Sequence, residues 1–283
     1  MSLRSVTATL AGIAILGLAG CAATSPQSGR QQVVVPTSVS EVYSEVDLQM
    51  KLATASPATD EQTEDQCLQL EYQRQIRKLM ERVVVTARRL YPDLEERGVK
   101  FRFAVAPSAE AGVLSNAGGM IIVLQGTHDI YLPDSVLAYV IAREMGHVIG
   151  RHHDENSAAT VMFSVLTQVL FPAAALVKGL SLVLPTTAVG SAMTASAISY
   201  LGATALKTTY RSDHLREAEE IALMLLAETG WDVFDIAGEA ESVIVKEGGS
   251  TWSEELRQSL NRLDQVACGP RRRPFVVQPA GAG

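Results

Sequence analysis

Apolar and polar positions along the chain follow two periods, and the switches between them mark the elements. From 65 to 90, Leu68, Leu70, Ile76, Leu79, Val83, Ala87 and Leu90 recur at helical spacing, which predicts a long amphipathic helix. Over 99–106, Phe101, Phe103 and Val105 alternate with their neighbours and predict a strand. Asn116-Ala117-Gly118-Gly119 reads as a turn, and Met120-Ile121-Ile122-Val123-Leu124 as a buried strand ending by Gly126. Pro133-Asp134 opens a helix whose Leu137, Val140, Ile141 and Met145 form one core-facing stripe. A further helix is predicted over 215–229, stopped by Gly230-Trp231-Asp232, and a shorter one over 255–266. Residues 28–35 read as a short strand-like segment. The order helix, strand, strand, helix predicts an α+β domain, mostly helical, with a small sheet beside the helix that begins at Asp134.

The stretch 157–206 breaks this pattern, because Lys178 is its one charged residue. Its length permits two membrane-crossing helices. Its wealth of Ala, Gly, Ser and Thr and its two prolines, Pro172 and Pro185, make transfer into lipid weakly favourable. The expectation is an apolar lid or hairpin inserted in the domain and packed over the site, with a membrane hairpin as the alternative.

Chemistry concentrates on the helix after Asp134, in Arg143-Glu144-Met145-Gly146-His147. The zincin pattern H-E-x-x-H places two imidazoles on one helical face to bind zinc, and its Glu activates the metal-bound water. Here Glu144 stands at the base position and His147 at the second ligand position. Arg143 holds the first, and a guanidinium has no lone pair for a metal. On a continuous helix His152 and His153, five and six residues beyond His147, point well off its face.

The first twenty residues change the picture of location. Arg4, the apolar run 10–18 and Leu18-Ala19-Gly20-Cys21 form a leader that ends like a lipobox, whose Cys is lipidated. Ala22 after that Cys implies the outer membrane, facing the periplasm. A small-and-polar tether is expected over 22–30. Cys67 and Cys268 are the only other cysteines, and in an oxidising compartment they are expected to pair. The formal charge of −7 argues against nucleic acid. Residues 269–283, with Arg271-Arg272-Arg273, read as a disordered basic tail. The chain thus divides into a leader at 1–20, a lipidated N-terminal segment at 21–64, a domain at 65–268 and the tail.

Taken together, these motifs resemble the gluzincin zinc metallopeptidase family of HtpX and BepA, in its periplasmic lipoprotein branch. Ser28-Gly29-Arg30-Gln31-Gln32 is similar to the family's Thr-Gly-Arg-Arg-Gln lead-in. The run from Asn116 to Gly126 resembles its strand beside the cleft, and that from Leu137 to Val148 its active helix. The run from Tyr210 to Glu219 parallels Tyr-Ser-Arg-Glu-x-Glu-x-Glu-Ala-Asp. The resemblance implies a zincin-like fold and a zinc endopeptidase ancestry. It also exposes a degenerate site, because the third ligand position is Leu215 and the bracing Asp is Glu219. Only His147 of the three ligands remains, so absence of zinc is the expectation and bound zinc the alternative. His214, about 100° around the helix from Leu215, and Asp213 are the substitute ligands to consider.

Two functions follow. In the first the chain is a pseudoprotease that binds envelope proteins or peptides in quality control or assembly. Ile121, Ile122, Val123 and Leu124 then serve as a peptide-pairing strand, and the guanidinium of Arg143, balanced by Glu144 or Glu219, takes the space of the metal. In the second it is an active zinc endopeptidase with an unusual ligand set and Glu144 as base.

Overall fold

The computed structural model describes residues 22–57, 66–170, 211–243 and 251–268. The leader, Cys21, most of the apolar insertion and the basic tail lie outside the described residues. So do the side chains of Cys67 and Cys268, which leaves their pairing outside as well.

In chain order the elements are β1 (Ala22–Thr24), β2 (Gln31–Val33), α1 (Thr37–Thr54), α2 (Gln66–Leu90), the short α3 (Asp93–Glu96), β3 (Arg102–Ala106), β4 (Val113–Ser115) and β5 (Met120–Leu124). A 3-10 turn at Gln125–Ile130 leads into α4 (Asp134–Ile149) and α5 (His152–Leu170). After the insertion come α6 over 211–228, α7 (Val233–Ala240) and α8 (Thr251–Cys268). This is the expected α+β, zincin-like fold, mostly helical with small sheets.

The three-stranded sheet has the order β3-β5-β4. β5 pairs parallel with β3 and antiparallel with β4. Because side chains alternate across a sheet, Ile121 and Val123 of β5 face the main core, with Phe103, Val105 and Val113 beside them. Ile122 and Leu124 face the other way, onto Leu48 and Leu52 of α1. The sheet is therefore covered on both faces, by α2 and α4 on one side and α1 on the other. The main core joins Ile76, Met80 and Val83 of α2 to Val140, Ile141 and Met145 of α4, then to Ile221 and Leu225 of α6 and Leu256 of α8. Gly119, at φ +89°, makes the turn into β5, where a Cβ would lie 2.9 Å from the backbone of Lys100.

Two expectations need correction. The tether over 22–30 is instead the first half of a hairpin, with β1 paired antiparallel to β2 and Arg30 and Gln32 reaching across to α5. The strand Ile121–Leu124 does not offer an edge to a peptide. It is the central strand, and both of its backbone edges are taken by β3 and β4.

Candidate functional site

The site is built where α4 crosses α6. A Cβ on Gly146 would lie 2.8 Å from the Cα of Ala218, so glycine permits the close approach that brings His147 toward the face of α6 carrying His214. α4 then stops. Gly150 leaves the helix and Arg151 takes a left-handed conformation, φ 59°, unusual for a residue with a side chain. The last carbonyls of α4 would otherwise be orphaned. Arg97 donates to the carbonyls of Val148 (2.7 Å) and Ile149 (3.4 Å), and Gln32 to that of Gly150 (2.8 Å). A cation at a helix C-terminus also suits its dipole.

This break overturns the expectation that His152 points away from His147. The chain restarts as α5 at His152, which swings its imidazole back until Nδ1 lies 2.9 Å from Nδ1 of His147. His152 also stacks on His214, with ring centroids 4.3 Å apart and planes 9° from parallel. Two carboxylates close the cluster. Glu217 lies 3.2 Å from Nε2 of His152, and Glu155 lies 3.0 Å from Nε2 of His214. Arg30 grips Glu155 with both terminal nitrogens at 2.7 and 2.8 Å and sits 3.9 Å from Glu217. The hydrogen-bond order assigns a relay. With Glu217 ionised, His152 holds its proton on Nε2, its Nδ1 accepts from Nδ1–H of His147, and Nε2 of His147 keeps its lone pair.

Burial decides the charge of this cluster. It holds His147 and His152 well below the usual imidazole range, helped by the neighbouring histidines. The two carboxylates separate. Burial alone would raise Glu155, but its hydrogen bonds from Arg30 and His214 win and hold it at about 2. Glu217 lacks a close grip from Arg30, so burial wins and raises it.

One turn back along α4, Arg143 does not enter a solvent-filled cleft. It is 1% exposed. Its Nη1 donates to Ser259 Oγ at 2.8 Å, and Nη2 lies 3.8 Å from Glu144. Ser259 donates in turn to Glu219, which Arg262 clasps at 2.6 and 2.7 Å. Glu219 thus braces a cation through Ser259. Glu144 points to the sheet side, where Ser115 on β4 donates to it at 2.8 Å and also meets Nε2 of His153 at 3.0 Å. Burial raises the Glu144 carboxyl, against the pull of Arg143 and Ser115, and lowers His153 to about 3.

Of the predicted site residues, His147 and His214 gather here through His152, while Arg143, Glu144 and Glu219 form the adjoining charged pocket. Leu215 is buried and apolar. Asp213 does not join them: it pairs with Arg216 at 2.8 Å on the outer side of α6, since it lies one residue round from His214. The sequence assigns no site role to Ser115, Glu155, Glu217, Arg30 and Ser259, and it places His152 off the face of His147. A glycine followed by Arg-His-His after an apolar helix was the available signal for His152.

The residues at the three expected ligand positions do not fit a catalytic zinc. Such an ion needs three protein ligands and an open position. Arg143 is bonded elsewhere and has no lone pair, Leu215 has no donor, and His147 alone remains. The substitute histidines are stacked and bonded to each other or to carboxylates. Among the described residues no set of three His, Cys, Asp or Glu side chains is disposed to hold a metal ion.

Residues 71–251 match Peptidase family M48, well over half of the chain, so the chain belongs to this metallopeptidase family. The match spans the α4 motif, both histidine-bearing helices beyond it and the start of α8. No curated protein matches the chain.

Proposed function

We propose that this member of Peptidase family M48 is a pseudoprotease, a cell-envelope lipoprotein that binds envelope proteins or peptides without cleaving them. The observation that carries the reading is Arg143. It stands where the motif needs a metal-binding His, buried and bonded to Ser259 beside Glu144. The Leu18-Ala19-Gly20-Cys21 lipobox supports anchoring at Cys21 and an outer-membrane, periplasm-facing location.

For the bound peptide, β4 replaces the central strand as the pairing edge. Leu124 N donates to Gly112 O and Asn116 N to Met120 O. Ladder bonds alternate along an antiparallel strand, so the peptide groups of Val113 and Ser115 point away from β5; Val113 is buried, and Ser115, half-buried beside Glu144, is the accessible one. An extended client adds there as a further strand. The test is binding of a labelled unfolded polypeptide to Ser115→Ala and to Ser115→Pro, which differ by the loss of one outward donor and both spare the β4–β5 ladder. Roughly ten-fold weaker binding by Ser115→Pro with an unchanged circular dichroism spectrum is expected from the loss of edge pairing. Equal binding by both proteins, or chelator-sensitive cleavage of the polypeptide, contradicts the reading.

The gathering of His147, His152 and His214 favours a second reading, an active zinc endopeptidase with substitute ligands and Glu144 as base. It requires the stacked rings to part and turn their nitrogens to one point.

A further inference from the structure

Ten large apolar side chains are exposed among the described residues, and six of them lie on β2 and α1. Val33 is on β2, and Val39, Val42, Tyr43, Val46 and Met50 are on α1. At helical spacing the α1 residues fall within about 100° of arc. That arc is opposite the face α1 buries, which carries Thr37, Ser40, Ser44 and Leu48. The usual polarity of a surface helix is inverted here: small hydroxyl residues face the protein and valines face outward.

We propose that this face of α1 lies in the surface of the lipid bilayer to which Cys21 anchors the chain. The proposal rests on the lipobox reading above. Three observations select lipid as the occupant. Ala22, the residue after Cys21, pairs with Val33 in the β1–β2 ladder, so the described chain begins beside an exposed valine. Ala22 and Ala23 also line one groove with Pro36, Thr37 and Ser38 at the start of α1, so the first described residues lie at the N-terminal end of the stripe. No charge interrupts the arc. The nearest, Asp47, is paired with Lys51 at 2.9 Å, and α1 carries three acidic residues against that one lysine. Such a helix has no attraction for anionic headgroups, so the surface is zwitterionic lipid. The lipid chains hold the protein to the membrane, and α1 fixes which side of it faces down.

The test uses the full-length lipidated protein in vesicles of phosphatidylcholine and phosphatidylethanolamine, some brominated on their acyl chains. A tryptophan is placed on the stripe (Tyr43→Trp) or on the exposed outer face of α2 (Val85→Trp), across the sheet from α1. The wild-type signal from Trp231 and Trp252 is subtracted. At interfacial depth the tryptophan at position 43 is quenched roughly two-fold or more above that at 85. Adding Val46→Glu brings the two to the same level while the protein stays vesicle-bound. Equal quenching at both positions in vesicle-bound, acylated protein overturns the proposal and leaves the anchor intact. A mass spectrum without acyl chains on Cys21 overturns the anchor and the proposal together. A dimer in sedimentation that Val46→Glu dissolves, with no quenching at 43, assigns the face to a second copy of the chain instead.

Discussion

Arg143 and His147 sit one turn apart on α4, and the two pockets they enter have opposite chemistry. Around Arg143 a permanent cation is buried and balanced by carboxylates, Glu144 directly and Glu219 through Ser259. Around His147 the imidazoles are buried against one another, with Glu217 and Glu155 at the edge of the cluster, and burial lowers His147 and His152. The first pocket draws Ser259 and Arg262 from a helix remote in sequence, and they join the guanidinium and Glu219 beside Tyr139. The second keeps its donors but ties them to one another. The same helix face thus carries an ion network at one turn and a hydrogen-bonded imidazole cluster at the next.

The largest effect expected from breaking this contrast comes from the first pocket. Glu219→Ala removes the carboxylate shared by Ser259 and Arg262 and leaves buried Arg143 with Glu144, 3.8 Å away, as its one carboxylate in this network. It should cost about 3 kcal/mol, because it breaks a part-buried ion pair with Arg262 and removes half of the counter-charge of Arg143. Chemical denaturation measures this, and a loss below about 1 kcal/mol would show the network to be ornamental. Gly146→Val strikes both pockets at the Ala218 crossing. Overpacking there should cost about 2–3 kcal/mol and separate His147 from His152. Wild-type stability together with intact histidine contacts by NMR would contradict the crossing.

The second pocket predicts an acid response in metal-free protein. His147, His152 and His153 have folded pKa values below 6.5, so below that pH the unfolded chain binds protons that the folded chain refuses. Stability is therefore present above about pH 6.5 and lost as pH falls, by up to about 1.4 kcal/mol per pH unit for each histidine. Glu144, raised by burial, takes up a proton in the folded state and offsets part of the loss. The melting temperature should fall between pH 7 and 5, less steeply in His153→Gln. A flat profile would contradict burial of neutral rings. The smallest effect is reserved for Arg143→Met, which fills the same space without charge and leaves Glu219 clasped by Arg262. Stability should change by about 1 kcal/mol or less in either direction.

The helices after Asp65 and Asp134 and the strand at Met120 were legible because their apolar positions report burial directly. α1 was not, since it buries Thr37, Ser40 and Ser44 and exposes its valines; a reading that equates apolar with inside inverts it. β4 has three residues, too few for a period. At the site, the identity and helical placement of Arg143, Glu144 and His147 could be read from the sequence. The histidine cluster could not, because it depends on the break at Gly150-Arg151, and a continuous helix sends His152 elsewhere. Glu155 and Glu217 look like ordinary surface charges until Arg30, far off in sequence, is folded onto them.

The central claim, that this site does not hold catalytic zinc, is tested most directly by zinc per chain in protein purified without added metal or chelator. The wild type should contain well under one zinc per chain, and Arg143→His alone should not raise it, since two ligands do not make the site. The double variant Arg143→His with Leu215→Glu, which restores the three-ligand set, should bind zinc. Stoichiometric zinc in the wild type that is lost in His147→Ala would contradict the account and assign His152 and His214 as its ligands.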